Sequence, residues 1–269
     1  LPALDKNIKM TIGTAYELIV VDNSKSIHSI FEAYNIGVSR SKFPILCFMH
    51  DDILYHSTDW GLNILAHFAD SDTGAIGIAG TPYYPRMPGS WWAGGLVNET
   101  IVNQTPEGLK TSYKTAGSGL SRNEVLVLDG VWLCIRKTLF ERIKFDESQF
   151  DGFHFYDMDI CMQIHVIGSR LYSITDIAVQ HFYTGKVNID WIRNAQIFYR
   201  KWKKSLPAAV VSLTEQQEVT IAYKTLREYI RILLANNTPR LSVYITTLLF
   251  MIRFSKGYKH IPALLLRSK

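Results

Sequence analysis

The sequence predicts an α/β protein: a mixed, mostly parallel sheet with flanking helices, followed by a helical C-terminal extension. Three observations carry this. Short apolar runs rich in β-branched residues recur, ELIVVDN and PILCFMH among them; the segments between them place apolar residues at helical spacing; and the connections are only a few residues long. Strand, helix, strand, helix, strand in that order builds a sheet covered on both faces, whose ligands bind beyond the carboxyl ends of the strands.

ELIVVDN (17–23) reads as a fully buried strand ended by turn formers. SIHSIFEAYNIGVSR follows as a helix with Ile27, Ile30, Phe31, Tyr34 and Val38 at helical spacing and Ser24 or Ser26 as its N-cap. PILCFMH is a second buried strand, DWGLNILAHFAD a helix opened by Asp59, and GAIGIAG a third strand. Residues 81–123, rich in Gly, Pro, Asn, Thr and Trp, lack periodicity and read as a long surface excursion, a feature compact domains keep mainly for function. Within it PGSWWAGG sets Trp91 and Trp92 between glycines. Adjacent tryptophans can pack one inward and one outward, and an exposed indole would stack the apolar face of a sugar ring or another flat ligand.

EVLVLDGVWLCIRKTLFERI is a strand broken at Asp129-Gly130 and continued into a helix. Residues 158–167 read as a helix with Ile160, Cys161, Ile164 and Ile167 inward, which puts Asp157 and Asp159 at its first turn, where the helix dipole favours carboxylates. LYSITDIAVQHF is a further strand ending in His181, and beyond Asp190 helices are expected over 191–204, 214–236 and 241–255.

Charge divides the chain into two expected units. In residues 1–190, 15 Lys and Arg face 21 Asp and Glu, a net −6; in residues 191–269, 14 face 3, a net +11. The basic unit interleaves its cations with apolar runs such as YITTLLFMIRF, a pairing that favours an anionic membrane surface or an acidic partner over nucleic acid. Its apolar stretch calls for cover, which a homodimer would supply. No signal peptide is visible, and 241–252 falls short of the ~20 apolar residues a spanning helix needs, so a cytoplasmic protein, peripheral on the inner face of the membrane, is expected. The cysteines, Cys47, Cys134 and Cys161, are odd in number and set among apolar residues, as core side chains in a reducing compartment rather than a disulfide or zinc framework.

The most informative stretch is FMHDDI, where a buried strand ends in Asp51 and Asp52. Two adjacent carboxylates repel each other and call for a cation or several donors. Asp22 and Asn23 end the earlier run, so both acidic tips point at one crevice.

ELIVVDNS, AYNIGVSRSKFPILCFMHDDI, LDGVWLCIRK, FDGFHFYDMDIC and the strand closing on His181 occur in the order that resembles family 2 glycosyltransferases of the GT-A fold, over about residues 15–200, with likeness to the bacterial branch related to the streptomycin-biosynthesis StrF domain. The resemblance implies a GT-A catalytic domain over 1–190 and a basic helical extension over 191–269. It implies a nucleoside-diphosphate sugar donor, a glycan or lipid-linked acceptor, and a divalent metal, Mn²⁺ or Mg²⁺, to neutralise the departing pyrophosphate. By the same resemblance Asp52 and His181 hold the metal, with His50 departing from the commoner acidic residue. Asp22, Asn23, Asn35, Gly37, Arg40, Asp51 and Asp129 lie along the donor. Asp157 is the base that deprotonates the acceptor in an inverting transfer, Tyr156 having replaced the first acidic member of that motif, and Asp159, with the two tryptophans, stands on the acceptor side. Family members open with a strand that forms part of the nucleotide pocket, and this sequence begins at about the helix after it. A glycoside hydrolase would also use two carboxylates, though without a strand-tip metal site; a nucleotidyltransferase would carry a basic Gly-rich loop, which is not found; a non-catalytic, membrane-docked relative is the alternative of a different class.

Overall fold

The computed structural model describes residues 2–105, 108–114, 121–182 and 187–239, together with residues 244, 245 and 248. The chain opens with α1 (Pro2–Thr11) and α2 (Ile30–Arg40), then β1 (Ile45–Met49), β2 (Ile53–Tyr55) and α3 (Trp60–Phe68). Next come β3 (Thr73–Gly77), β4 (Ala79–Thr81), β5 (Tyr83–Tyr84), β6 (Asn98–Thr105), β7 (Gly108–Lys114), β8 (Arg122–Val125), β9 (Val127–Leu128) and β10 (Trp132–Arg136). A 3₁₀ turn (Lys137–Glu141) leads on to α4 (Tyr156–Val166), β11 (Arg170–Ile174), β12 (Val179–His181), α5 (Ile189–Trp202), β13 (Ala208–Ala209) and α6 (Glu215–Ala235).

The main sheet has the order β1-β10-β3-β11-β8, and a second runs β2-β12-β6-β4-β9 with β7 beside β6. It is the mixed α/β arrangement expected, but fewer of its neighbours are parallel: only β3 with β11 and β6 with β12. The reason lies in β10. Strands β1, β3 and β11 run in one direction, as strand-helix-strand units require, and β10 is wedged antiparallel between β1 and β3.

Side chains alternate across the sheet with period two. Leu46 and Phe48 of β1 and Leu133 and Ile135 of β10 face one core with Phe31 of α2, Ile160 of α4, Phe198 of α5 and Tyr229 of α6. Cys47, Trp132 and Cys134 face the other, with Leu4 and Ile8 of α1 and Trp60, Ile64 and Phe68 of α3. All three cysteines are free.

Local signals explain most helix starts. Thr214 caps α6 in a reciprocal capping box with Gln217, and Ser29 does the same for α2 with Glu32, so the cap is Ser29 and not Ser24 or Ser26. Asp59 does precede α3, but in a left-handed conformation and without a side-chain cap.

Two expectations are overturned. ELIVVDN is no buried strand: Leu18 and Val20 are exposed, and among the described residues no ladder hydrogen bond reaches it. Its polar ends are anchored instead, Glu17 accepting the amides of Lys42 and Phe43 and Asn23 bridging to His28. The physical reason is the edge beside β1. The His50 amide donates to the Val131 carbonyl and the Lys137 amide to the Pro44 carbonyl, so the backbone groups of Ile45, Cys47 and Met49 face outward, and no described strand pairs with them. The span 81–123 is likewise not irregular throughout: among its described residues, 85–97 lack helix or strand, but strands lie on either side. Residues 81–85 are buried, and β6 pairs with β7 as a hairpin. The expected helix at 241–255 lies outside the described residues except at positions 244, 245 and 248.

Candidate active site

β1 ends at Met49, and the next three residues turn its tip across the end of β12. The Phe182 amide donates to the Asp52 carbonyl at 3.1 Å, which locks the Asp51-Asp52 turn to the residue after His181. His181 Nε2 therefore lies 3.3 Å from Asp52 Oδ1 and 3.4 Å from His50 Nδ1, and His50 Nδ1 is 3.9 Å from the same oxygen. One atom from each of the three residues falls within a 4.8 Å circle. All three are half-buried, while Asp51 beside them is exposed.

Tyr156, the first residue of α4, fixes how His50 presents itself. Its hydroxyl donates to the Gly130 carbonyl at 3.0 Å, so the His50 Nε2–H, 3.1 Å away, donates to the phenol oxygen. The Nδ1 lone pair is left aimed at Asp52 and His181, as a metal ligand held by an outer partner would be. Burial pushes the His50 imidazole below its ordinary pKa despite the charges of Asp129 and Asp52, which favours the neutral, ligating form. A glycine is required at 130, because a Cβ there would run into the Tyr156 hydroxyl. Two imidazoles and a carboxylate are a donor set that could hold a divalent metal ion.

One residue along α4, Asp157 accepts hydrogen bonds from the Gly130 amide (3.0 Å) and the Met158 amide (2.8 Å). Burial, then the charge of Asp129, push its carboxyl up to about 7, against the pull of the amides. Asp129 accepts from the Val131 amide at 2.9 Å through one oxygen and from the Trp91 indole N–H at 3.1 Å through the other. Buried Tyr156 thus stands between a cluster able to hold a cation and a carboxylate poised to take a proton near neutrality.

Several expected site residues are used elsewhere. Trp91 is 7% exposed and bonded to Asp129, so it holds a carboxylate and offers no face to a sugar; Trp92, 40% exposed, meets it edge-on at 5.6 Å between ring centroids. Asp159 is 1% exposed and bound by Lys201, the Trp202 indole and Gln163, which makes it a tie between α4 and α5 rather than an acceptor contact. Asn35 is spent on the Phe145 backbone and Glu147. Gly37 and Arg40 lie in the last turn of α2, at the start of β1, whose five residues at about 3.3 Å each separate them from His50. Asp22 is exposed and accepts from the Ser24 amide, a local turn, and neither it nor Asn23 is bonded to the cluster. The structure thus brings together Asp52, His181, Asp129 and Asp157 of the expected set, and adds His50 and Tyr156. The contacts of these two span 131 and 106 residues, and no local pattern announces them.

The model of the "Glycosyltransferase like family" matches residues 3–201. No curated protein matches the sequence. Among solved structures, one titled "Crystal Structure of A197 from STIV" is 13% identical, with a TM-score of 0.32, over 55% of this chain and 63% of that one. Another, titled "Crystal structure of GalNAc-T7 with UDP, GalNAc and Mn2+", is 12% identical, with a TM-score of 0.41, over 59% of this chain and 31% of that one. The chain spans less than two thirds of either, and the likenesses are distant. The chain belongs to the glycosyltransferase-like family.

Proposed function

We propose that this member of the glycosyltransferase-like family is a metal-dependent, inverting transferase of the StrF-like bacterial branch, moving a hexose from a nucleoside-diphosphate donor to a hydroxyl of a glycan or lipid-linked acceptor in surface polysaccharide or glycolipid synthesis. One observation carries the reading: the His50, Asp52 and His181 cluster meets, through Tyr156, the helix whose first turn carries Asp157 with its raised pKa. His50, Asp52 and His181 would hold the divalent ion. When bound, that ion supplies Lewis-acid neutralisation of the diphosphate leaving group.

The chain's own residues do the rest. The His50–Tyr156–Gly130 relay keeps the Nδ1 lone pair turned toward the ion. Asp157, held by two amides, takes the acceptor proton as that oxygen attacks the anomeric carbon, and Asp129, steadied by Trp91, keeps the Asp157 carboxyl basic enough to do so near neutral pH. Asp51, exposed beside the cluster, lies along the donor. The basic portion beyond residue 190 forms the acceptor side and would approach the inner face of a membrane. No helix of the described residues is long and apolar enough to cross one.

The alternative, a non-catalytic relative that binds without transferring, draws on the outer edge of β1, beside which no strand lies among the described residues. Incubation with a panel of nucleotide sugars and Mn²⁺, reading nucleoside-diphosphate release and the anomeric configuration of the product, separates the two. Chelator-sensitive release with inverted configuration supports the transferase. Binding without turnover of any donor, under every acceptor tried, supports the alternative.

A further inference from the structure

A groove of about 560 Å³ lies between the PGSWWAGG loop and α6, walled by Trp92 and Ala93 on one side and by Tyr223, Lys224, Arg227 and Glu228 on the other. It is built by close backbone approach. A Cβ on Gly94 would come within 2.6 Å of the Ile221 side chain, and Gly95 turns the loop with a φ of +82°, which residues with side chains rarely adopt, so glycines let the loop lie this near the helix. That approach sends Trp91 inward to Asp129 and leaves Trp92 facing the groove. The groove is therefore separated from the Asp129 carboxylate by the edge-to-face contact of two indoles.

Its chemistry is specific. Trp92 and Tyr223 offer aromatic surface, which suits the apolar face of a sugar ring. Glu228 is held by Arg231 through both oxygens, at 2.9 and 2.7 Å, so its charge is already matched. Lys224 and Arg227 are exposed and, among the described residues, form no ion pair. Two unmatched cations beside an aromatic wall suit a saccharide that carries phosphate.

We propose that this groove binds the acceptor as a sugar phosphate, with the ring against Trp92 and the phosphate on Lys224 and Arg227. The assignment to the acceptor rests on the transferase reading above; the binding itself does not. The phosphate could belong to a free sugar phosphate or to the pyrophosphate head of a lipid-linked sugar, which share this chemistry.

The test uses the full chain in chelator, so that the metal cluster is silent, titrated by calorimetry and tryptophan fluorescence with the 1-phosphates of glucose, galactose and N-acetylglucosamine, with the neutral sugars, and with inorganic phosphate. At least one sugar phosphate should bind more tightly than its neutral sugar and than phosphate, with affinity falling as salt rises. Lys224→Gln with Arg227→Gln should weaken it ~10- to 100-fold, Trp92→Ala should weaken it and diminish the fluorescence change, and Asp52→Ala should leave it unaltered. A polyprenyl-pyrophosphate sugar in detergent that binds more tightly still assigns the lipid-linked source; equal binding assigns the free one. Absence of binding by all three sugar phosphates, equal binding by the double variant, or equal binding by inorganic phosphate would overturn the proposal. A parallel titration with nucleoside diphosphate and Mn²⁺, without chelator, keeps the two readings apart: its failure to bind sinks the transferase and leaves a sugar-phosphate result standing.

Discussion

Two acidic clusters in this molecule look alike in sequence and differ in what completes them. On the side facing α5, Asp146 and Asp159 share the Lys201 ammonium, at 2.6 and 2.9 Å, and Ser148, Gln149, Gln163 and Trp202 fill the remaining acceptor positions. At the strand tips, the side-chain partners of Asp52 among the described residues are two imidazoles, and one of them, His50, is held toward the neutral form by burial. A carboxylate pair with its own lysine is a finished structural device. A carboxylate grouped with two imidazoles has instead the donor set that could hold a metal ion. Asp157 and Asp159, two residues apart on α4, differ in the same way: Asp159 is tied to Lys201 and Trp202 of α5, whereas Asp157 accepts backbone amides, from Gly130 and Met158.

The comparison breaks most visibly at Asp52 and Asp157. Asp157→Asn should lower the rate of transfer by ~10²–10⁴-fold while donor and metal still bind, because a missing base leaves binding intact; a variant that keeps its rate would remove Asp157 from the mechanism. For the unsubstituted protein, the rate should climb as pH rises through about 7, where Asp157 loses its proton, and level off above. A profile flat between pH 5 and 8 would contradict the role of that carboxyl.

Lys201→Met probes the opposite cluster and should act on stability alone. It strands Asp159, which is 1% exposed, and should cost ~3–5 kcal/mol in denaturant unfolding. Metal-dependent nucleotide binding by the folded fraction should be unchanged. The same cluster sets a pH dependence. Burial raises the Asp146 carboxyl, but Lys201, Ser148 and Gln149 outweigh it and bring it down to about 2, from 3.8. A carboxyl depressed by folding contributes stability above its unfolded value and loses it as pH falls, so this contribution should fade between about pH 4 and pH 2 and be smaller in the lysine variant.

Tyr156→Phe is subtler. It removes the acceptor that fixes the His50 ring and should weaken Mn²⁺ binding ~10- to 100-fold with the fold retained, as loss of an outer-shell partner does. Unaltered affinity would mean that His50 needs no such support.

Much of this was legible in the sequence where the signal is local. The strand leading to Asp51-Asp52 and the acidic first turn of α4 are each set by a few consecutive residues, and each lies where the periodicity puts it; LYSITDIAVQHF, read as one strand, is instead two, β11 in the main sheet and β12, which ends at His181, in the second. What escaped depends on partners far along the chain. ELIVVDN has the composition of a strand, but a strand exists only beside a neighbour, and no ladder hydrogen bond among the described residues joins it to the outer edge of β1. Asn35 sits at a matching motif position, yet its amide is consumed by Phe145 and Glu147, 110 and 112 residues away. Trp91 and Trp92 are indistinguishable as letters; Asp129 and the approach of the loop to α6 sort them. His50, read as a departure from an acidic pattern, is turned toward Asp52 and His181 because Tyr156, another departure from it, supplies its hydrogen-bond partner.

The central claim is that the strand-tip cluster holds a metal for a nucleoside diphosphate while the lysine cluster does not. Calorimetric titration with a panel of nucleoside diphosphates, in Mn²⁺, in Mg²⁺ and in chelator, on the unsubstituted protein, Asp52→Ala and Lys201→Met, tests it directly. One diphosphate should bind only with metal, should be lost in Asp52→Ala and should be kept in folded Lys201→Met. Diphosphate binding that survives both chelator and Asp52→Ala, or no binding under any condition, would contradict it.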